Sequence, residues 1–187
     1  MKRKDIILLI GQKGSGKSFI GKILEKEFGI KFVRVEDWAK QIKRNREVDN
    51  ESYLKQVFLE IEKGVRQISK GVDNLVFEST GLTVYFDIML KKLKQDFKVT
   101  TIGVYANPKT CLERINNRDQ AIHINVSDNQ VLMINEKVRE RNFNTDFLIK
   151  NENKTVKELI DELKNIVAMT LNTTIEKKSD ADNDYVK

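Results

Sequence analysis

Three glycines and a lysine fall within seven residues near the start of the chain, between an apolar run and an amphipathic segment. The stretch LLIGQKGSGKSFIG covers residues 8–21. Glycine loses the most backbone freedom on folding, so such a cluster indicates a tight turn or the close approach of a ligand. The run before it, DIILLIG, is typical of a strand buried on both faces, and Ile20, Ile23, Leu24 and Phe28 follow at helical spacing. The glycines are therefore predicted to join a buried strand to a helix.

The spacing matches G-x-x-x-x-G-K-S/T at every fixed position, from Gly11 through Gly16 and Lys17 to Ser18. Such a P-loop binds nucleoside triphosphates, because its amides surround a phosphate and a helix N-terminus adds partial positive charge. Lys17, at an exposed helix start, is predicted to reach the β and γ phosphates, and Ser18 to offer a hydroxyl to Mg²⁺. The expected phosphate-binding residues are Gly11, Gln12, Lys13, Gly14, Ser15, Gly16, Lys17 and Ser18.

Apolar runs and amphipathic segments alternate along the rest of the chain. KFVRV, NLVFE, VTTIGVY and DFLI read as further strands, each followed by a helical pattern, with an extra helical insert after Arg118. This order predicts an α/β fold in which a parallel sheet carries helices on both faces. Residues 1–171 are expected to form one domain. Residues 172–187 lose apolar periodicity and are expected to be a polar flexible tail.

Charge and composition limit the classes of partner. The net charge is +6 at pH 7, which suits an anionic small molecule as well as nucleic acid, and no nucleic-acid-binding signature accompanies it. Nucleic acid is therefore an unlikely main partner. No apolar run approaches the roughly 20 residues that span a bilayer. The single cysteine, Cys111, fits a reducing compartment, and we expect a cytoplasmic protein without a membrane partner.

Acidic residues follow two of the predicted strands. Glu78 ends the third strand, a position from which a carboxylate commonly holds Mg²⁺. Glu36 and Asp37 end the second strand and precede Trp38. Ligands of open α/β sheets bind beyond the carboxyl ends of the strands, so these side chains are expected in one crevice with the P-loop. Two alternatives stay open: the acids could cap a helix, and Trp38 could serve packing.

Arg114 and Arg118 lie one helical turn apart in LERINNRD, where they could face a triphosphate together or simply be solvated. The Arg-x-x-x-Arg pattern resembles the entrance to the mobile lid of adenylate kinase. The early P-loop, the acid on the third strand and the segment before the last strand resemble the nucleoside monophosphate kinase group, which includes shikimate and gluconate kinases. The resemblance spans about residues 5–168.

That resemblance implies a three-layer P-loop fold with a five-stranded sheet in the order 2-3-1-4-5 and a small helical lid at about residues 114–142. It implies that Arg114 stacks on adenine and that Arg118 contacts the transferring phosphoryl group. Glu78 takes the place of the strand-end aspartate that reaches Mg²⁺ through water. ESTGL after the third strand departs from the Asp-Gly-Phe-Pro-Arg stretch of adenylate kinases, and with Gly81 alone it also departs from the triple-glycine loop of shikimate kinases, so the acceptor is left open.

The acceptor is expected to lie against the segment after the second strand. Its cations suit an anionic acceptor, such as a nucleotide, although a solvated basic helix face is an equal alternative; they are Lys40, Lys43, Arg44 and Arg46. His123 is left unassigned. The residues expected to contact the acceptor are Glu36, Trp38, Arg44, Thr80 and Gly81.

The sequence thus predicts an ATP- and Mg²⁺-dependent phosphotransferase acting on a small acceptor. Lys17 and Arg118 would stabilise the charge of the transferring group. Asp37 or Glu36 would orient the acceptor oxygen and could take its proton if the acceptor is a hydroxyl, whereas a phosphate acceptor would need no base. Two alternatives remain, an ATP-binding regulatory protein with low turnover and a nucleic-acid end kinase.

Overall fold

The structure is a computed structural model that describes residues 3–43, 50–117 and 127–171. Within those residues, strands and helices alternate as predicted, with two successive helices after β2 and again before β5. In chain order the elements are β1 (Asp5–Gly11), α1 (Lys17–Phe28), β2 (Lys31–Val33), α2 (Val35–Lys43), α3 (Glu51–Ile68), β3 (Asn74–Ser79), α4 (Val84–Asp96), β4 (Lys98–Tyr105), α5 (Pro108–Asn116), α6 (Asp128–Glu140), β5 (Phe147–Lys150) and α7 (Val156–Thr170).

The five strands form one parallel sheet in the order β2-β3-β1-β4-β5, which confirms the predicted fold. β1 is the central strand. At its carboxyl end Ile10 pairs with Ser79 of β3, and Gly11 pairs with Val104 of β4. The P-loop therefore leaves the middle of the sheet between the ends of two neighbouring strands, where side chains from both can reach a bound ligand.

The central strand is buried on both faces, as its continuous apolar run predicts. Ile7 and Leu9 pack in one core with α1 and α7, and Ile6, Leu8 and Ile10 pack in the other with α3 and α4. Burying a side chain of this size is worth about 1.5–3 kcal/mol relative to leaving it exposed. The two cores hold the P-loop on a rigid support.

Local capping signals start two helices where the sequence indicates. Thr155 and Glu158 form a reciprocal capping box at α7, and Asn107 caps α5 with Pro108 in its first turn. Ser127 and Gln130 form a second capping box at α6, which lies within the predicted insert. None of the helices in the described part of the chain is both long and apolar enough to cross a membrane.

One predicted boundary is wrong. β2 ends at Val33, two residues before the end of KFVRV, and α2 begins at Val35. Glu36 and Asp37 consequently lie in the first turn of a helix instead of at a strand end. Carboxylates are favoured there by the partial positive charge of the helix N-terminus.

Candidate active site

The P-loop turns through glycines that are pressed against protein. Gly14 has a φ of 79° and Gly16, the N-cap of α1, has a φ of 95°, both in the left-handed region. A Cβ on Gly14 would lie 2.2 Å from the carbonyl oxygen of Cys111, and one on Gly16 would lie 2.1 Å from Nδ2 of Asn151. Glycine is therefore required at both positions not only for its backbone conformation but also because α5 and the segment after β5 leave no room for a side chain.

The carbonyl groups of the loop are held by side chains from several elements. Lys13 O accepts from Nδ2 of Asn135 at 3.0 Å, and Ser15 O accepts from Nδ2 of Asn151 at 2.8 Å and from Nη1 of Arg114 at 3.4 Å. These donors offset the partial negative charge of the carbonyl oxygens, which would otherwise repel an anion bound in the loop. The first N–H groups of α1 have no intrahelical partner and can donate to a phosphate.

Lys17 is buried, so the expectation of an exposed helix start is wrong. Its side chain is 8% exposed, and Nζ donates to the carbonyls of Gly11 at 2.9 Å and Gln12 at 2.7 Å. Burial lowers the pKa of Lys17 from 10.5 to about 8, against the opposing effect of the nearby Glu78 carboxylate. The ammonium group therefore lies beneath the loop, beside the space where phosphates would bind.

Two oxygens stand where the sequence predicts a magnesium site. The hydroxyl of Ser18, in the first turn of α1, donates to Oε1 of Glu78 at the end of β3, and the two atoms are 2.6 Å apart. Oxygen ligands suit the hard cation Mg²⁺, which commonly takes one or two protein oxygens and completes its shell with phosphates and water. The described residues contain no cluster of three or more His, Cys, Asp or Glu side chains able to hold a metal. The donor set fits a metal bound together with a nucleotide.

A cavity of about 370 Å³ extends from the P-loop to the start of α2. The loop, Arg114 and the end of β3 form one part of its wall, and residues of α2 and α3 form another. The side chains and backbone that line it are Lys13, Gly14, Gly16, Lys17, Ser18, Val35, Glu36, Ala39, Val57, Phe58, Ile61, Glu78, Ser79, Thr80 and Arg114. The volume suits one small molecule next to the phosphates.

The adjacent acids Glu36 and Asp37 have different surroundings. Glu36 lines the cavity and its side chain is 19% exposed, whereas the side chain of Asp37 is 56% exposed and is not part of the lining. Each lies within 4 Å of Arg34, at 3.7 Å and 3.8 Å. Successive residues of a helix point in different directions, and of these two acids one lines the cavity. Glu36 is that residue.

Of the other described residues that were expected to contact the acceptor, one lines the cavity and two serve packing. Thr80 lines the cavity. Gly81 is buried at a φ of 75°, and a Cβ there would lie 2.5 Å from the ring of Phe143, which shows that Gly81 serves close packing. Trp38 packs against α3, since a Cβ on Gly64 would lie 2.3 Å from its ring, and it is not among the lining residues.

Arg114 joins the nucleotide end of the cavity to the last strand. Besides its contact with the P-loop, its Nη2 donates to the carbonyl of Asn151 at 3.0 Å. Gln12 points away from the loop into the protein, where its Oε1 accepts from the amide of Ala106 at 3.3 Å. Arg118, Arg44, Arg46 and His123 lie outside the described residues.

Sequence reasoning missed two amides that shape the loop, Asn135 and Asn151. Asn135 shares the buried face of α6 with Val131 and Val138, and a polar residue at an apolar position of an amphipathic helix is a signal that could have found it. Asn151 follows the carboxyl end of β5, the edge of the sheet at which ligands bind. That position was available from the sequence as well.

Known proteins are similar to this chain in sequence and in fold. A family described as an AAA domain matches residues 7–132. The shikimate kinase of Persephonella marina is 26% identical over 162 residues, which cover 84% of this chain and 95% of the relative. The chain belongs to the AAA domain family.

Solved structures share the fold. The shikimate kinase of Aquifex aeolicus has a TM-score of 0.59 at 21% identity, with 88% of this chain and 96% of that chain covered. An APS kinase of Mycobacterium tuberculosis in complex with AMPPNP and APS has a TM-score of 0.62 at 13% identity, with 90% and 99% covered. With the P-loop at residues 11–18, these similarities identify a P-loop kinase.

Proposed function

We propose that this kinase transfers the γ-phosphoryl group of ATP to a hydroxyl group of a small acceptor, in a reaction that requires Mg²⁺. The observation that carries the proposal is one cavity that is lined by the P-loop and also by Glu36 and Thr80. A phosphoryl donor and an acceptor held in one cavity react in line with little covalent chemistry from the protein.

Each end of the cavity has a distinct task. The amides at the start of α1 and the Lys17 ammonium bind the triphosphate, and Arg114 holds the nucleotide side of the loop in place. Ser18 and Glu78 would hold Mg²⁺, which supplies charge neutralisation on the phosphates when it is bound. Arg118, expected from the sequence, would meet the charge that develops on the transferring group.

Glu36 is the residue we assign to the acceptor. Glu36 lines the same cavity as the P-loop, so its carboxylate could accept a hydrogen bond from an acceptor hydroxyl and take its proton as the oxygen attacks. A phosphate acceptor would already be ionised and would be repelled by Glu36. This position therefore favours a hydroxyl acceptor over a nucleotide monophosphate.

The rest of the acceptor wall is apolar. Val35, Ala39, Val57, Phe58 and Ile61 line it, which suits a compact carbon skeleton such as a ring or a short chain. The anionic groups expected of the acceptor would then be recognised by the basic segment after α2, of which Arg44 is outside the described residues. A hydroxylated carboxylic acid satisfies both features. The shikimate kinase relative, by its name, acts on a molecule of this class.

A panel of acceptors tests the proposal. Purified protein is incubated with ATP·Mg²⁺ and with hydroxy acids, sugars, nucleoside monophosphates or short oligonucleotides, and phosphoryl transfer is followed by phosphorus NMR. We expect a new phosphate monoester with a hydroxy acid or a sugar. Transfer only to monophosphates would contradict the role of Glu36, transfer to oligonucleotide ends would favour the nucleic-acid kinase, and slow ATP hydrolysis with every acceptor would favour the regulatory protein.

A further inference from the structure

One buried side chain from α6 binds both backbone groups of a single P-loop residue. Asn135 is 3% exposed. Its Oδ1 accepts from the amide of Lys13 at 2.7 Å, and its Nδ2 donates to the carbonyl of the same residue at 3.0 Å. A carboxamide is the side chain that carries an acceptor and a donor side by side, so it matches the N–H and C=O of one residue.

This pair of hydrogen bonds acts at the point where the loop changes direction. Lys13 directly precedes Gly14, whose φ of 79° starts the left-handed turn. Fixing both groups of Lys13 fixes the peptide planes that lead into the turn, and hence the directions of the amides that follow. The Lys13 amide donates to Asn135 and is therefore not available to a phosphate. Lys13 lines the cavity, so its expected contact with a phosphate would have to come from its side chain.

The helix that carries Asn135 also contacts the acceptor side of the site. Arg141, directly after α6, pairs with Asp87 of α4 at 2.5 Å and stacks on Phe143, with its guanidinium carbon 4.9 Å from the ring centre. Phe143 in turn packs on Gly81, next to the cavity residue Thr80. A chain of direct contacts therefore runs from the P-loop through α6 to the loop after β3.

We propose that Asn135 is a positioning residue that holds the P-loop backbone in its phosphate-binding shape and couples nucleotide binding at the loop to the mobility of α6. The proposal rests on the proposed function only in that the loop binds a nucleotide; it does not depend on the acceptor. An ordered loop is bound more tightly because less conformational freedom is lost on binding. The same two bonds make the mobility of α6 depend on whether the loop is occupied.

The test compares Asn135→Leu, which keeps the size of the side chain and removes both bonds, with Asn129→Leu on the exposed part of α6. Affinity for ATP·Mg²⁺ is measured by calorimetry. Losing two buried hydrogen bonds is expected to weaken binding by about 10- to 100-fold in the Asn135 variant and by less than about twofold in the control. Equal affinities in both variants and the wild type would overturn the positioning role.

Amide hydrogen exchange of the wild-type protein provides a second readout that stands even if the variant fails to fold. Saturating ATP·Mg²⁺ is expected to slow exchange across α6, and this slowing is expected to be lost in Asn135→Leu at saturating nucleotide. Unchanged exchange across α6 of the wild type on binding ATP would overturn the coupling. Absence of any ATP binding by the wild type would instead overturn the proposed function, so the two failures are distinguishable.

Discussion

The hydroxyl of Ser18 donates a 2.6 Å hydrogen bond to Oε1 of Glu78 and thereby joins the first turn of α1 to the end of β3. The two groups belong to different elements and are 60 residues apart in sequence. Because β1 and β3 are neighbours in the sheet, the P-loop helix starts directly beside the carboxylate. A divalent cation bound with ATP would meet both oxygens.

Glu78→Gln tests this site. The amide keeps the shape of the side chain and loses the negative charge, so we expect ATP binding to change by less than about tenfold while the rate falls and the Mg²⁺ concentration for half-maximal rate rises. Steady-state kinetics over a magnesium series measures both. Glu60→Gln, at a surface ion pair with Lys63, is the matched control. An unchanged magnesium requirement would leave Glu78 as a partner of Ser18 alone.

The buried Lys17 predicts that ATP binding depends on pH. The triphosphate binds the charged ammonium, so it raises the pKa of Lys17 above the value of about 8 that burial sets in the free protein. Below pH 8 the group is already protonated and affinity is constant. Above pH 8 binding requires proton uptake, and the association constant should be about tenfold lower at pH 9 than at pH 7.

Titration calorimetry in buffers of different ionisation enthalpy measures this proton uptake. The thiol of Cys111 is the other nearby group, and burial raises its pKa. Cys111→Ser is therefore the control, and it should keep the pH dependence of the wild type. Affinity that stays level from pH 7 to pH 9.5 would show that Lys17 does not exchange its proton on binding ATP.

The pair Glu36→Gln and Asp37→Asn compares two neighbouring acids. A general base contributes about 10²–10⁴ in rate, so Glu36→Gln should lower kcat by about 10² or more with a productive acceptor. Asp37→Asn should change it by less than about twofold, because removing a partly exposed charge at a surface ion pair has small effects. Both variants should bind ATP as the wild type does. A larger loss from Asp37→Asn would reverse the assignment.

The two lid arginines are expected to act at different stages. Arg114 contacts Ser15 and Asn151 in the free protein, so Arg114→Ala should weaken ATP binding more than it slows transfer. Arg118, by the sequence argument, meets charge that develops during transfer. Arg118→Ala should therefore lower the rate by about 10² or more and change ATP affinity by less than about tenfold. Similar small effects from both would indicate a solvated pair.

Local signals carried most of the fold prediction. The P-loop spacing, the capping box of Thr155 and the Asn107-Pro108 start of α5 each depend on residues within a few positions, and each was predictable from the sequence. The strand order came from the family resemblance. These features need no knowledge of which distant segments pack together.

The site details that were missed depend on exact boundaries or on distant contacts. Because β2 ends two residues early, Glu36 and Asp37 lie on a helix, where Glu36 lines the cavity and Asp37 does not, and a hydrophobic pattern does not fix a boundary that closely. Lys17 is buried because its own loop folds over it. The helical pattern could mark Asn135 as a buried polar residue, but it could not show that its partner is Lys13, 122 residues away.

The hydrogen bond from Asn151 to the P-loop has a consequence for when the loop can take its final shape during synthesis. The loop is synthesised well before β5, yet the Ser15 carbonyl is held by Asn151, 136 residues later. A nascent chain that ends before β5 contains the complete P-loop motif but lacks one of the amides that hold its carbonyls outward. We therefore expect full nucleotide affinity only after the last strand has joined the sheet, so that ATP would stabilise the complete domain more than a partly synthesised one.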